Sequence, residues 1–300
     1  MKLLGVFDIG GTSIKYGVVN EVGDILYKDA VPTEAYLGGV EVINKVNKLG
    51  DELIGDYEIN GIAISSAGQI DSISGTVVFA TDNIPNYTGT PVAEIVSNHT
   101  GLPVKVENDV NCTALGEYWK GAAVGVDDFL CVTIGTGIGG ALFLHGKLYT
   151  GSHFSAGELG HINLYPHGKP CTCGNQGCFE NYASSSALAE MVTTAFGYEV
   201  DLKEFFAAAK QGDALAVEIF DSWIEDMTIG LRSLVHIFNP ELIVIGGGVT
   251  AQGDFLQRAI QDSLLPKTMP NHRRSLQVKL AEHDNKANLL GAAKHYLMTQ

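Results

Sequence analysis

The chain has 300 residues, 45% of them hydrophobic, and a formal net charge of −15 at pH 7. This length and apolar content are enough for one large domain or two ordinary ones, whereas the negative charge argues against nucleic acid or an anionic membrane as a partner. No apolar run approaches the ~20 residues of a membrane span, and the first residues lack the long apolar core of a signal peptide. We therefore expect a cytoplasmic protein.

The first 120 residues alternate between strand and helix patterns. Short apolar runs joined by glycine-containing turns predict an antiparallel meander of three strands, and apolar residues at helical spacing follow. The predicted elements are strands at 3–7, 14–19 and 25–30, a helix at 40–54, a strand at 61–65, a helix at 92–98, a strand at 104–107 and a helix at 109–119.

The same order starts again in the remaining residues. The predicted elements are strands at 129–134, 141–144 and 147–149, helices at 184–196, 202–210 and 213–238, a strand at 241–245, a helix at 255–264, a strand at 276–280 and a helix at 285–297. Such repetition predicts a duplicated α/β fold. We expect a smaller domain at 1–118 with 286–300 and a larger one at 119–285, with ligands in the crevice between them, beyond the strands' carboxyl ends.

Two glycine-rich turns are suited to phosphate. Asp8-Ile9-Gly10-Gly11-Thr12 joins two predicted strands, so bare backbone N–H groups can approach a phosphate, and Asp8 can hold Mg²⁺ directly or through water. Residues 135–140 formally contain G-x-G-x-x-G, but a strand instead of a helix follows, which disfavours a dinucleotide site. Each turn alone is also compatible with an ordinary hairpin. Gly246-Gly247-Gly248 is either a plain loop or a close contact for a ribose or flat ring.

Asn108 and Asp109 stand where a predicted strand passes into a predicted helix. Asp109 at a helix start is typical of an N-cap, but a carboxylate there also keeps its charge and can accept a proton from an alcohol. Asn108 offers both a donor and an acceptor to a hydroxyl group. The strand-end position, near two turns suited to phosphate, favours the catalytic interpretation.

A cysteine cluster follows in the second half. With His161 upstream, three of the five cysteines lie within eight residues: Cys171, Cys173 and Cys178. In a reducing cytosol this spacing predicts tetrahedral zinc before a disulfide. The insert 158–180 also contains Glu158 and Glu180, which are not needed as metal ligands. We therefore expect the metal to organise a polar pocket. A clip that only stabilises the fold is the alternative, and Cys112 and Cys131 are expected in the core.

Together these motifs resemble the ROK family of bacterial sugar kinases and related repressors, over essentially the whole chain. The resemblance is carried by Asp8-Ile9-Gly10-Gly11-Thr12, Glu107-Asn108-Asp109, Gly135-Thr136-Gly137-Ile138-Gly139-Gly140, Gly246-Gly247-Gly248 and the segment from Gly157 to Glu180. It implies a duplicated actin/hexokinase-like (ribonuclease H-like) two-domain fold with an interdomain cleft, and a homodimer.

The resemblance also implies an activity: transfer of the γ-phosphoryl group of ATP to the 6-hydroxyl of a neutral sugar, with Asp109 as base. It assigns sugar binding to Gly68, Asn86, Asn108, Glu158, His161 and Glu180. It assigns ATP, with Mg²⁺, to Asp8, Gly10, Gly11, Thr12, Lys15, Thr136, Gly137, Gly247 and Gly248. It assigns structural zinc to His161, Cys171, Cys173 and Cys178.

The sugar stays open between N-acetylmannosamine and glucose. The carboxylates of Glu158 and Glu180 favour a neutral polyhydroxyl ligand over an anion. Residues 65–68 and 84–90 resemble the corresponding segments of N-acetylmannosamine kinases of some Gram-positive bacteria. The alternatives are a ROK-type sugar-responsive transcriptional regulator and a noncatalytic sugar sensor. ROK repressors carry a helix-turn-helix segment before the first phosphate motif, and Asp8 is expected to leave no room for one; the charge of −15 also disfavours DNA.

Overall fold

The computed structural model describes residues 2–283 and 286–299. The strands are β1 (Leu3–Ile9), β2 (Ser13–Asn20), β3 (Ile25–Pro32), β4 (Ile59–Ser66), β5 (Gln69–Asp71), β6 (Thr76–Phe79), β7 (Val104–Asn108), β8 (Phe129–Ile134), β9 (Ile138–Leu144), β10 (Lys147–Tyr149), β11 (Leu242–Gly246) and β12 (Gln277–Leu280). The α-helices are α1 (Gly39–Asp56), α2 (Val92–Thr100), α3 (Asp109–Lys120), α4 (Glu180–Ala183), α5 (Ser185–Phe196), α6 (Leu202–Lys210), α7 (Ala214–Phe238), α8 (Asp254–Leu264) and α9 (Ala287–Met298).

The chain forms two compact units. The first contains Met1–Gly125, Leu148–Ala156 and Glu282–Gln300, and the second contains Val126–Lys147 and Gly157–Ala281. The predicted cysteine insert, 158–180, belongs to the second unit. In the described residues, no helix combines the length and the apolar character that crossing a membrane would need.

The first unit is built on a sheet in the order β3-β2-β1-β4-β7. β1, β2 and β3 form the predicted antiparallel meander, while β1, β4 and β7 run parallel. Successive side chains of a strand point to opposite faces, and β1 follows this rule. Phe7 and Ile9 pack in a core with buried residues of α1 and α2; Leu4 and Val6 pack in another with α3 and α9. Helices therefore cover both faces of this sheet.

The second sheet has the order β10-β9-β8-β11-β12. β8, β11 and β12 run parallel, and β9 returns antiparallel to β8. Because β8 and β11 are parallel neighbours, the turn after β8 and the loop after β11 lie at the same edge of the sheet. The long helix α7 belongs to the same unit and buries Trp223, whose indole N–H donates to the Ser184 carbonyl at 3.2 Å.

Most predicted elements begin and end within two residues of the observed ones. β9 begins three residues early, at Ile138, because Gly139 and Gly140 pair with β8 instead of belonging to the turn. The sequence analysis missed the β5–β6 hairpin and the one-turn helix α4, since elements of three or four residues are too short to show a period. Residue 285, where the last helix was predicted to begin, lies outside the described residues, and α9 begins at Ala287.

Candidate active site

The turn between β1 and β2 presents a bare backbone surface. A Cβ built at Gly11 would meet nothing within 4 Å, and one at Gly10 would meet only the Ser13 carbonyl, at 3.3 Å. Neither glycine has the positive φ that forces glycine elsewhere. Gly11 and Thr12 are exposed. The glycines are therefore useful at this turn for the room they leave for a ligand, and the backbone conformation does not require them.

Asp8 lies at the end of β1, 3% exposed, and its carboxylate is fully engaged. Lys15 Nζ lies 3.1 Å from Asp8 Oδ2, and Oδ1 accepts hydrogen bonds from Ser65 Oγ and Asn288 Nδ2, each at 2.9 Å. Charge-assisted hydrogen bonds of this kind hold a carboxylate in one orientation. The predicted ATP-site residues Asp8 and Lys15 are thus brought together, with Lys15 offsetting the negative charge of Asp8.

The parallel strands bring the predicted catalytic segment to the same edge of the sheet. Asp8 on β1 pairs with Ser65 on β4, and Ser66 pairs with Asn108 at the end of β7. The carboxyl ends of parallel strands are where ligands bind in open α/β sheets. Local patterns could not have established this register, which the tertiary structure sets.

Asn108 is the N-cap of α3. The sequence had left open that Asp109 is the N-cap instead of a catalytic residue, and the structure gives the cap to Asn108. Its Oδ1 accepts hydrogen bonds from the backbone N–H groups of Val110 and Asn111, at 2.9 and 3.1 Å. Its Nδ2 donates to the Gly68 carbonyl at 2.8 Å and to Asp109 Oδ1 at 2.9 Å. Because Asn108 performs the capping, Asp109 is the first residue of the helix.

Asp109 has an altered acidity. Burial, and after it the negative charge of Asp8, raises the pKa of its carboxyl group to about 6, against opposing hydrogen bonds from Val110 and Asn108. A pKa in this range suits a general base near neutral pH, because the group is ionised yet basic enough to take a proton.

Gly68 and Asn86 both have a positive φ. Gly68 has a φ of 97°, and a Cβ added there would lie 2.7 Å from the Phe79 carbonyl oxygen, so glycine is required. Asn86 has a φ of 56° and precedes Tyr87, whose hydroxyl group lies 2.9 Å from Ser66 Oγ. Gly68 contacts Asn108 directly, whereas Asn86 is connected to this edge only through its neighbour.

In the second unit, the turn after β8 and the loop after β11 lie side by side. The Gly135 N–H donates to the Gly137 carbonyl at 3.0 Å, which closes the turn around Thr136. Gly247 has a φ of 91°, and a Cβ there would lie 2.2 Å from the Ile134 carbonyl oxygen. A Cβ at Gly248 would meet nothing within 4 Å. Gly247 is therefore required by packing, while Gly248 leaves open surface.

The predicted zinc ligands are gathered in one place. One ligand atom from each of His161, Cys171, Cys173 and Cys178 lies within 4.8 Å of the others. Cys173 Sγ is 3.6 Å from Cys178 Sγ, and Cys171 Sγ is 3.7 Å from His161 Nδ1. Ligand atoms of a tetrahedral zinc ion stand roughly 3.5 to 3.8 Å apart, so the geometry fits zinc, and Nδ1 is the imidazole nitrogen that faces the cysteines.

Glu180 lies between this cluster and the second glycine turn. Its Oε1 is 3.4 Å from Cys171 Sγ and 3.6 Å from His161 Nδ1, and its Oε2 accepts a weak hydrogen bond from the Ile138 N–H at 3.4 Å. A Cβ at Gly137 would lie 2.5 Å from that oxygen. Glu158 precedes the 3₁₀ turn Leu159–His161, and its carbonyl accepts from the His161 N–H at 3.1 Å.

Comparison with known proteins decides the family. The profile of the ROK family matches residues 4–298. The chain belongs to the ROK family.

Three solved structures are similar to this chain in sequence and in fold. A glucokinase from Streptomyces griseus in complex with glucose and AMPPNP is 34% identical, with 97% of this chain and 98% of that one covered and a TM-score of 0.82. A candidate N-acetylmannosamine kinase from Listeria monocytogenes is 30% identical, with 99% of each chain covered and a TM-score of 0.88. A ROK transcriptional regulator, a homologue of the Escherichia coli Mlc protein, is 26% identical, with 98% of this chain and 78% of that one covered and a TM-score of 0.86.

These similarities confirm the predicted actin/hexokinase-like fold of the ROK family. The residue roles that the resemblance implies are not tested by them and stay predictions. Two residues at the candidate site were not predicted from the sequence. Ser65 and Asn288 both donate to Asp8. Ser65 lies in the segment 65–68, for which the sequence indicated no contact with Asp8. Asn288 lies 280 residues from Asp8 along the chain, and no local signal could have connected them.

Proposed function

We propose that this ROK protein transfers the γ-phosphoryl group of ATP to the 6-hydroxyl of a neutral hexose, either N-acetylmannosamine or glucose. That the chain is a sugar kinase follows from its identity of about a third to glucokinases over nearly its whole length. The observation that carries the proposal is Asp109, a carboxylate of pKa about 6 held beside Asp8 at the strand-end edge of the first sheet.

The proposed reaction needs one proton transfer and one exchange of bonds. A sugar hydroxyl gives its proton to Asp109, its oxygen bonds to the γ-phosphorus, and the bond from that phosphorus to the β,γ-bridging oxygen breaks, so ADP leaves. Because the transition state of phosphoryl transfer is loose, positioning and neutralisation of charge contribute more than activation of the nucleophile. Asn108, hydrogen-bonded to Asp109 Oδ1, is suited to orient both the base and the hydroxyl group.

Each unit has an open glycine surface suited to the nucleotide. The turn at Gly10, Gly11 and Thr12 leaves room for a phosphate, and Lys15 lies next to it with a positive charge. In the second unit, Thr136 and Gly137 form the other turn, and Gly248 leaves room for a ribose or base. We assign these groups to ATP, which agrees with the AMPPNP bound to the S. griseus glucokinase.

Two metal ions are part of the proposal. Mg²⁺ usually keeps several waters and binds proteins through one or two carboxylates; Asp8 fits this role through a water, because its oxygens already accept hydrogen bonds and face Lys15. Mg²⁺ would neutralise charge on the phosphates. Zinc on His161 Nδ1 would fix the imidazole so that Nε2 is left for a sugar hydroxyl, and we assign Glu158 and Glu180 to the sugar as well.

The choice between the two sugars follows the relatives. The S. griseus structure contains glucose, whereas the L. monocytogenes protein is a candidate N-acetylmannosamine kinase. Both are about equally similar to this chain in sequence. Sugar-dependent regulation is the second candidate function, because a ROK regulator has a similar structure. The net charge of −15 opposes binding to DNA.

The decisive experiment measures ADP release with glucose, mannose, fructose, N-acetylglucosamine and N-acetylmannosamine. We expect turnover with N-acetylmannosamine or glucose, and a loss of at least ~10²-fold in kcat for Asp109→Asn, because the amide cannot accept the proton. Asp56→Asn, an exposed carboxylate at the end of α1, is the control and should leave kcat unchanged. Sugar binding without turnover would support a sensor, sugar-dependent binding to DNA would support a regulator, and near-normal turnover of Asp109→Asn would remove Asp109 from its role.

A further inference from the structure

We infer that Glu107 is a positioning residue for the reaction proposed above, because its carboxylate holds Asn108, and through Asn108 the base Asp109, in a single orientation. This inference rests on the proposed function. Glu107 is the buried residue before Asn108 on β7, 1% exposed. Since neighbouring side chains on a strand point to opposite faces, Glu107 is not placed to touch the substrate itself.

The contacts of Glu107 Oε1 join the strand to the first turn of the helix. This oxygen accepts a hydrogen bond from the Asn108 backbone N–H at 2.8 Å and one from Asn111 Nδ2 at 3.0 Å. β7 is at the edge of its sheet, so the carboxylate provides an acceptor on the side that has no neighbouring strand. Asn111 is itself 5% exposed and belongs to the first turn of α3.

Asn108 passes this constraint on to the base. Its Oδ1 accepts from the Asn111 N–H, while the Asn111 side chain donates to Glu107, so the three residues form a closed ring of hydrogen bonds. The remaining amide group of Asn108, Nδ2, donates to Asp109 Oδ1 at 2.9 Å and to the Gly68 carbonyl at 2.8 Å. With both ends of its amide bound, Asn108 cannot rotate without breaking these bonds, and Asp109 is held with it.

Stability alone does not explain a carboxylate at this position. Burial raises the pKa of Glu107, against hydrogen bonds from Asn111, Asn108 and Ser72. His295 Nδ1 lies 3.8 Å from Glu107 Oε2, and burial lowers the pKa of His295 to about 4, so this imidazole is neutral at neutral pH. A buried carboxylate facing a neutral imidazole is costly, whereas its acceptor oxygens suit the three donors. We conclude that the acceptor oxygen, more than the charge, is what the site uses.

The test compares Glu107→Gln, which keeps an acceptor oxygen, with Glu107→Met, which removes it at similar length. We expect kcat of Glu107→Met to fall ~10- to 100-fold with KM for ATP changed less than about twofold, since small misplacements of catalytic groups have costs of that size. Glu107→Gln should keep kcat within about threefold and should leave the acid limb of the pH profile in place.

A control separates positioning from simple loss of stability. Asn20 is also buried, and its Oδ1 also accepts two backbone N–H groups, from Val22 and Asp24, but it lies at the far end of β2 from the site. We expect Asn20→Ala to lower the melting temperature while kcat of the folded enzyme stays near the parent value. Equal losses of kcat in Asn20→Ala and Glu107→Met, or a kcat in Glu107→Met within twofold of the parent, would overturn the inference. A Glu107→Gln variant as impaired as Glu107→Met would overturn the acceptor role in favour of the charge.

Hydrogen exchange distinguishes this inference from the proposed function. The Asn108 amide proton should lose protection in Glu107→Met and keep it in Glu107→Gln, whether or not any sugar is phosphorylated. If the parent protein turns over no sugar, the proposed function fails, and the exchange result still tests the ring. If the parent is active and Asn108 protection is the same in all three proteins, the inference about Glu107 is wrong and the kinase assignment stands.

Discussion

At the scale of single residues, the acid–base chemistry of the site depends on the different surroundings of Asp8 and Asp109. Asp8 has hydrogen-bond donors and Lys15 at its carboxylate, whereas Asp109 is partly buried and its pKa is raised by desolvation and by the charge of Asp8. Pairs of titratable groups whose environments differ in this way can divide roles. Here Asp8 is suited to face a metal and phosphates, and Asp109 to exchange a proton.

The pH dependence of the rate should reveal this residue. With a pKa of about 6, Asp109 is protonated below that pH and cannot take the hydroxyl proton, so kcat/KM for the sugar should fall about tenfold per pH unit below 6 and level off above it. The measurement is a pH–rate profile at saturating ATP. A profile flat down to pH 4.5 would contradict the assignment of Asp109 as the base.

At the scale of elements, the site depends on how closely α3 and α9 approach each other. Gly116 on α3 lies against the Ala287 backbone, and Gly291 on α9 lies against the Cys112 backbone. This contact sets Asn288, at the start of α9, where it accepts from Thr113 Oγ1 and donates to Asp8. The small residues therefore connect helix packing to the orientation of a predicted metal-binding carboxylate.

Adding a methyl group at this contact should be costly. A Cβ at Gly116 would lie 2.2 Å from the Ala287 carbonyl oxygen, so we expect Gly116→Ala to lower the free energy of unfolding by about 3 kcal/mol despite the better helix propensity of alanine. Gly55, on α1, has nothing within 4 Å of such a Cβ, and Gly55→Ala should stabilise by roughly 0.5 to 1 kcal/mol. Denaturant unfolding measures both, and equal effects would refute the close contact.

At the scale of the whole molecule, the second unit includes a segment with little regular structure. Residues 157–179 contain one 3₁₀ turn and two isolated bridges, Asn163↔Cys178 and Pro170↔Gln176. Segments without a strand ladder or a core of their own commonly take their stability from a metal.

The homodimer and the cytoplasmic location that we expect stay predictions.

Zinc should account for the order of this segment. Protein purified without a metal-affinity tag should contain about one zinc per chain, as a single Cys₃His site would, and chelation should lower the melting temperature. Cys173→Ser should lose most of the metal. Cys131→Ser, which replaces a buried cysteine of β8, is the matched control and should retain it. A full zinc content in Cys173→Ser, or active protein without zinc, would contradict the site.

The sequence alone determined what depends on short spacing. The alternation of strands and helices, the two glycine turns and the grouping of Cys171, Cys173 and Cys178 are local patterns, and the structure agrees with them because periodicity and close ligands act over a few residues. The ROK resemblance, built from these motifs in order, is confirmed by the family match.

Only the tertiary structure decided what depends on distant partners. That the pKa of Asp109 reaches about 6 and that Asn288 bonds Asp8 across 280 residues follow from strand register and helix packing. The role of Glu107 was also hidden in the sequence: Asn108 and Asn111 are only one and four residues away, but only the folded chain shows that its carboxylate accepts hydrogen bonds from both. Burial and hydrogen-bond geometry are properties of the folded chain, and no local spacing records them.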